Sequence, residues 1–262
     1  MADGTLGFDV PEDWLQGRTS FGGLVSVLAV NAMREVAAAA WPKEVGLRAL
    51  QTNFIAPVEG GPVDVEVQVL REGRNVRQVQ SRLMQRGEVC ALAVGVFGSA
   101  RDSRVPPFAP QRPAPARAPD EIPAHPFVAG RRPHFTAHFD MRWSGGAPPF
   151  SGAAGTLDAS IHLRLLDADD AKALSPELMT VMMADVSPTP VLSQFDQPTP
   201  ASSVSWALEL RPLPEGEALD GWWRADNLAV AAAGGYVNQQ SMLWSPSGTL
   251  AGLAYQVVTV YG

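Results

Sequence analysis

The feature that most constrains the fold is a run of apolar residues that covers nearly every face of a helix. It extends from Leu24 to Trp41 (LVSVLAVNAMREVAAAAW) and is rich in alanine, which favours helix formation. A helix without a polar face must be surrounded by other parts of the chain. Asn31, Arg34 and Glu35 interrupt the run, and their polar groups would be costly in a lipid bilayer. The run therefore predicts a buried helix of a globular protein, with no membrane association.

Four strand signals follow this helix. They are LRALQTNFIAP, VDVEVQVL, VRQVQSRLM and EVCALAVGVFG, and in the second of them valine alternates with Asp, Glu and Gln. The breaks REGRN and QRGE contain the Gly and Asn that tight antiparallel turns require. One helix followed by an antiparallel meander predicts an α+β unit whose sheet curls around the helix.

The same order of elements recurs after a segment rich in proline and alanine. GGLVSVLAVN can be overlaid on PELMTVMMAD, and QTNFIAP on WALELRP. RQVQSRLMQRGEVCALAV can be overlaid on VNQQSMLWSPSGTLAGLA with one residue inserted in the turn. Repeated prolines remove backbone donors and disfavour both helix and strand, so the segment is interpreted as a linker. We therefore expect an N-terminal repeat at residues 1–104, a linker at 105–126 and a C-terminal repeat at 127–262.

Composition and motifs exclude several classes of function. The net charge is −7 and the basic residues are scattered, so no basic stripe is available for binding nucleic acid. The first residues lack a basic segment followed by an apolar run, which predicts a cytoplasmic protein. The single cysteine, Cys90, lies in an apolar run and is interpreted as a small buried residue in preference to a catalytic thiol.

We expect neither a cofactor nor a metal. No G-x-S-x-G elbow, G-x-G-x-x-G motif or P-loop lysine is present. His134 and His138 are four residues apart, but they lie in a segment (HFTAHFDMRW) that alternates like a strand and offers no third ligand.

These motifs together resemble the acyl-CoA thioesterase II family. The resemblance is carried by the Phe-Gly-Gly turn before the first helix, by NFIAPVEGGPVDVEVQVLREGRNVRQVQSRLMQRGEVCALAVGVFGS and by the closing LAYQVV. It implies an α+β double hotdog fold, in which two fused helix-plus-antiparallel-sheet repeats share one continuous sheet. It also implies a thioester hydrolase that acts on acyl-CoA, and the edge strands of hotdog sheets suggest a homo-oligomer.

The resemblance further implies a hydrolytic site made of an aspartate, a hydroxyl and a glutamine. The matching residues are Asp185 in MMADV, Gln256 in LAYQVV and Ser202, which is aligned on the Arg-Pro that ends its strand. Ser203 and Ser205 are close by, and a shift of one residue would turn the side chain to the other face of the strand. Such a cluster could hold and deprotonate the water that attacks a thioester carbonyl.

Two other functions fit the same fold. One is an acyl-CoA-binding protein without turnover, and the other is an enoyl-thioester hydratase or dehydratase. The second usually needs a histidine paired with an acid near a central helix, and neither helix segment contains a histidine. The gap-free overlay of the repeats places Asn31 opposite Asp185 and Val96 opposite Gln256, which predicts one working centre and one degenerate copy.

Overall fold

One large antiparallel sheet and two central helices form the framework of the molecule. The computed structural model describes residues 3–38, 41–42, 44–115 and 117–261. In chain order the elements are β1 (Asp3–Val10), β2 (Leu15–Gln16), β3 (Thr19–Ser20), α1 (Gly22–Ala37), β4 (Gly46–Phe54), β5 (Gly61–Glu72), β6 (Val76–Gln85), β7 (Glu88–Gly98), β8 (Phe139–Gly145), β9 (Asp158–Leu165), α2 (Ala168–Ala173), α3 (Pro176–Met183), β10 (Ala201–Leu210), β11 (Trp223–Ala233), β12 (Tyr236–Trp244) and β13 (Leu250–Val260).

The sheet has a twofold pattern that matches the repeat in the sequence. Among the described residues it contains eleven strands in the order β1-β5-β6-β7-β4-β10-β13-β12-β11-β9-β8. Strands β4 and β10 pair antiparallel at the centre. Outward from them, β7, β6 and β5 on one side correspond to β13, β12 and β11 on the other. The two helix-plus-sheet units therefore share one continuous sheet, as the resemblance predicted.

Helix α1 is apolar on most of its surface because it is covered on several sides. It packs against β1, β5, β6, β7 and α3, and nine of its residues are buried. Helix α3 runs antiparallel to α1, as the pairing of Arg34 near the end of α1 with Glu177 at the start of α3 shows. The end of α3 consequently lies beside the start of α1. This crossing brings Asp185 next to the Phe21-Gly22-Gly23 turn.

Both central strands carry a β-bulge that changes which side chains face the helices. On β10, Ser203 pairs with Val258 and Ser205 with Val257, so Val204 is the extra residue. An extra residue breaks the strict alternation of a strand. The buried Trp206 lies on the core face, and the bulge returns Ser203 to that face while Val204 is exposed.

The equivalent bulge on β4 supports a common origin of the two units. There Leu47 pairs with Phe97 and Ala49 with Val96, which leaves Arg48 as the extra residue. The two bulges superpose when Leu47 is placed on Ser203. This registration puts Leu50 opposite Trp206, one residue away from the overlay of the sequences alone, which had placed Gln51 there.

The segment between the two units is held against the second one by arginines. Arg224 Nη1 donates to the carbonyl of Pro113 at 2.7 Å, and Arg142 Nη1 donates to the carbonyl of Pro119 at 2.9 Å. The expected strand at HFTAHFDMRW begins later than the sequence suggested, because His134–His138 form a 3-10 helix before β8. No helix among the described residues is both long and apolar enough to cross a membrane.

Candidate active site

Asp185 lies at the junction of the two helices, two residues after α3 ends. Its backbone N–H donates to the carbonyl of Met182 at 3.3 Å, which directs the side chain towards the start of α1. Gln256 on β13 donates from Nε2 to Asp185 Oδ1 at 3.0 Å. The backbone N–H of Gly23, in the first turn of α1, also donates to the carboxylate. Asp185 therefore receives hydrogen bonds from both units of the molecule.

The surroundings of Asp185 raise its pKa to about 7. The largest cause is burial, which disfavours the charged carboxylate, and the hydrogen bonds from Gln256 and Gly23 oppose it. The positive end of the α1 dipole acts in the same direction as those hydrogen bonds. A carboxylate with a pKa near neutrality can take a proton from water and return it at physiological pH.

Gln256 joins the aspartate to a serine hydroxyl. Its Nε2 donates to Ser203 Oγ at 2.7 Å in addition to Asp185. The Ser203 hydroxyl accepts this bond, so its own proton is available to another acceptor. Both hydrogens of the Gln256 amide are thus used within the cluster.

Ser202, the hydroxyl residue expected from the sequence, lies outside this cluster. Its side chain is exposed, and its Oγ has only a long contact of 3.5 Å with the carbonyl of Ser203. The bulge at Val204 explains the difference, because it moves Ser203 to the core face that a regular strand would have given to Ser202. The structure therefore brings together Asp185, Gln256 and Ser203.

The first turn of α1 approaches the carboxylate so closely that only glycine fits there. A Cβ built on Gly22 would lie 2.7 Å from Asp185 Oδ2 and 3.0 Å from the ring of Phe54. Real Cβ atoms essentially never approach another atom to 2.7 Å, and a contact of 3.0 Å is already very tight. Gly22 thus has a steric role at the carboxylate.

A fourth polar residue, Gln239, continues the cluster along the inner face of the sheet. Gln239 on β12 pairs directly with Gln256 and donates from Nε2 to Gln256 Oε1 at 3.3 Å. It is 5% exposed. Sequence reasoning missed it, although a buried glutamine would have been expected once β12 was aligned, because Val237 and Ser241 mark the same face.

The sheet positions of the first unit that correspond to Ser203, Gln239 and Gln256 carry no polar side chain. Leu47 stands where the second unit has Ser203, and Val79 stands where it has Gln239. Strand pairing joins Val79 to Gly95, whereas Gln239 is joined to Gln256. Gly95, and not the Val96 of the gap-free overlay, is therefore the counterpart of Gln256.

The difference of one residue arises in the turn between the paired strands. In the first unit Arg86 and Gly87 connect β6 to β7, and in the second the connection from β12 to β13 is longer. Met84 pairs with Val89, five residues later, whereas Trp244 pairs with Leu250, six residues later, so each later position of β13 is shifted by one relative to a gap-free overlay. Among the described residues, only the second unit holds the complete cluster.

The cysteine and the two histidines that the sequence singled out have surroundings typical of packing residues. Cys90 is buried, and burial raises the pKa of its thiol, which opposes formation of a reactive thiolate. His138 stacks on Trp14 and lies 3.3 Å from Asp13, while His134 contacts the carbonyl of Glu12. Within the described ranges no group of three metal-ligating side chains is present.

A continuous sheet, two central helices and one polar cluster at their crossing define a double hotdog protein. The chain belongs to the acyl-CoA thioesterase family. The family model of the acyl-CoA thioesterase N-terminal domain matches residues 10–98, and that of the C-terminal domain matches residues 119–260. A search of the curated proteins gave no significant match.

Solved structures share the fold at low sequence identity. A conserved protein of unknown function with a hot dog fold from Alicyclobacillus acidocaldarius is 22% identical, with a TM-score of 0.80 over 98% of this chain and 93% of its own. Acyl-CoA thioesterase II TesB2 from Mycobacterium marinum is 19% identical, with a TM-score of 0.73 over 98% and 93%. The tesB protein from Mycobacterium avium subs paratuberculosis is 17% identical, with a TM-score of 0.76 over 98% and 93%. These matches confirm the double hotdog fold.

Proposed function

We propose that the protein hydrolyses acyl-CoA thioesters to a free acid and CoA with a water molecule activated by Asp185, Ser203 and Gln256. Ser203 takes the place that the sequence had given to Ser202. The observation that carries the proposal is the bridge made by Gln256 Nε2, which lies 3.0 Å from Asp185 Oδ1 and 2.7 Å from Ser203 Oγ. The family to which the chain belongs supports the same substrate class.

The reaction needs no covalent intermediate on the protein. The ionised Asp185 accepts a proton from water while the water oxygen attacks the carbonyl carbon, and the carbonyl electrons move to oxygen. Collapse of the tetrahedral intermediate breaks the C–S bond. The CoA thiolate then takes the proton from Asp185, which regenerates the carboxylate.

Each of the other groups has a distinct task in this scheme. Gln256 fixes the carboxylate by donating to it, and Ser203, which accepts from Gln256, directs its own proton to the attacking water. The N–H groups of the first turn of α1 have no acceptors within the helix, and Gly23 already points at Asp185. The neighbouring N–H groups of this turn are suited to stabilising the oxyanion.

The pKa of Asp185 sets the pH dependence of the proposed reaction. Because Asp185 acts as the base in its ionised form and its pKa is about 7, the rate should fall as pH decreases below about 7 and level off above it. A carboxylate with an ordinary pKa would keep the rate constant down to much lower pH.

The test is release of free thiol from acyl-CoA substrates of increasing chain length. We expect wild-type turnover with the pH profile described above, and a loss of about 10²–10⁴-fold in kcat for Asp185→Asn and Gln256→Ala. Circular dichroism and thermal denaturation control for folding. Turnover that is unaffected by Asp185→Asn would contradict the proposed centre.

The alternative functions give different results in the same experiment. An acyl-CoA-binding protein would retain substrate affinity and release no thiol at any chain length. A hydratase would add water to an enoyl substrate and leave the thioester intact. All four histidines lie in the described residues, and none forms a hydrogen bond with Asp185, Ser203 or Gln256, which favours hydrolysis over hydration. The homo-oligomer and the cytoplasmic location stay predictions.

A further inference from the structure

Gln239 is a buried amide beside the cluster that the proposed mechanism does not use. It is 5% exposed, and its Oε1 has no hydrogen-bond partner among the described residues. Burying an amide with an unsatisfied oxygen costs stability, on the order of 1–3 kcal/mol. Its one side-chain hydrogen bond goes from Nε2 to Gln256 Oε1 at 3.3 Å.

Packing alone does not require a glutamine at this position. The counterpart in the first unit is Val79, which is fully buried on the same face of the sheet. Val79 faces Gly95 across the strand pair, whereas Gln239 faces Gln256. The fold accepts an apolar side chain here, and the glutamine occurs in the unit whose neighbouring strand carries Gln256.

The amide of Gln256 could adopt two orientations that differ by a half-turn. In the observed one, Nε2 donates to Asp185 and Ser203, and Oε1 accepts from Gln239. After a half-turn, Oε1 would face the carboxylate of Asp185. That arrangement is repulsive when Asp185 is ionised and acceptable when Asp185 is protonated and can donate.

We propose that Gln239 is a positioning residue that holds the side-chain amide of Gln256 in the orientation that donates to Asp185 and Ser203. Gln239 touches neither the carboxylate nor the substrate in this scheme, and it acts through Gln256. The inference rests on the proposed function, because the orientation it selects is the one that suits an ionised base.

The groups around Asp185 make this positioning measurable. From α1 the backbone of Gly22 and Gly23 faces the carboxylate, from β4 the ring of Phe54 lies nearby, and from β13 Gln256 donates to it. Among the described residues, no ionised side chain contributes to the shift in the pKa of Asp185. Loss of the hydrogen bond from Gln256 should therefore raise that pKa further.

The decisive comparison is between Gln239→Met and Gln240→Met. Both residues are glutamines on β12, but Gln240 pairs with Tyr255 and its side chain is on the opposite face of the sheet. Methionine preserves length and removes the amide. Gln239→Val, which copies the first unit, serves as a second variant if the methionine protein does not fold.

Two readouts are made on the full chain. Titration of the Asp185 carboxyl followed by carbon-13 NMR should show a midpoint about half a pH unit or more higher in Gln239→Met than in wild type, and unchanged in Gln240→Met. In thiol release from acyl-CoA, kcat should fall about tenfold with little change in KM, and the fall in rate at low pH should begin at a higher pH.

The two readouts separate failure of this inference from failure of the proposed function. An unchanged Asp185 midpoint in both Gln239 variants would overturn the positioning role, whatever the activity. A shifted midpoint in a protein whose wild type releases no thiol would support the positioning role and contradict hydrolysis. A lower kcat with an unchanged midpoint and pH profile would reduce Gln239 to a packing residue.

Discussion

The two units of the molecule have the same framework and opposite contents at equivalent places. In the second unit the bulge on β10 presents Ser203, and β13 and β12 present Gln256 and Gln239. In the first unit the bulge on β4 presents Leu47, and Gly95 and Val79 stand where the second unit has Gln256 and Gln239. The two units thus share strand registers and bulges, although the sheet positions that are polar in the second unit are not polar in the first.

The two helix ends differ in the same way. The start of α1 is Gly22-Gly23, and it receives the carboxylate of Asp185. Near the start of α3, Glu177 accepts from Arg34 Nε at 2.8 Å and from the backbone N–H of Leu47 at 2.7 Å. The two helices therefore meet at two places. At the first crossing, where α1 ends and α3 begins, they are joined by an ion pair. At the second crossing, where α3 ends and α1 begins, there is a single carboxylate whose pKa is raised. We propose that the crossing at Asp185 serves the reaction and that the crossing at Arg34 and Glu177 serves stability.

The largest effect is expected from adding a side-chain atom at Gly22, where the start of α1 meets the carboxylate of Asp185. In Gly22→Ala the new Cβ would lie 2.7 Å from Asp185 Oδ2, so the carboxylate must move. A displacement of about 1 Å can cost about 100-fold in kcat/KM. The matched control is Pro176→Ala, at the first position of α3, which should change thiol release less than about twofold. Equal losses of thiol release in Gly22→Ala and Pro176→Ala would mean that the reaction depends on both crossings alike.

The second prediction concerns the ion pair at the other crossing. Arg34→Met leaves Glu177 partly buried with only the N–H of Leu47 as a donor, which should lower the free energy of unfolding by about 2 kcal/mol. Urea denaturation measures this. We expect kcat to be unchanged, since this crossing has no part in the proposed reaction.

An exposed ion pair gives the control for this variant. Arg82 and Glu66 form a pair at 2.6 Å whose side chains are 50% and 40% exposed. Arg82→Met should therefore change the free energy of unfolding by less than about 0.5 kcal/mol. Loss of hydrolysis in an Arg34→Met protein of unaltered stability would contradict the proposed division between a crossing for the reaction and a crossing for stability.

The smallest effect is expected from the serines before the bulge on β10. Ser203→Ala removes the hydroxyl that accepts from Gln256 and should lower kcat about tenfold, which corresponds to about 1.4 kcal/mol. Ser202→Ala, at the neighbouring exposed position, should leave kcat within about twofold of wild type. The same steady-state thiol assay measures both, and a reversed ranking would place Ser202 in the site.

Much of the fold could be predicted from the sequence, because the signals are local and repeated. The apolar run Leu24–Trp41, most of which lies in α1 (Gly22–Ala37), the alternation in VDVEVQVL and the return of the same order in the second half are signals independent of tertiary contacts. The boundaries were less accurate. The strand expected at HFTAHFDMRW begins only at Phe139, since a 3-10 helix precedes it, and sequence periodicity does not separate these two forms over five residues.

For the candidate site, the sequence by itself predicted Asp185 and Gln256, which interrupt apolar runs and match the motif of the family that the sequence resembles. Only the tertiary structure decided that Ser203 replaces Ser202 in the cluster and that Gln239 adjoins it. Strand pairing also fixed Gly95 as the counterpart of Gln256, in agreement with the one residue that the sequence overlay inserted in the turn. The physical reason is common to all three. A strand alternates with a period of two, so one bulge or one extra turn residue reverses the face of every residue beyond it, and that single step is set by pairing with other strands.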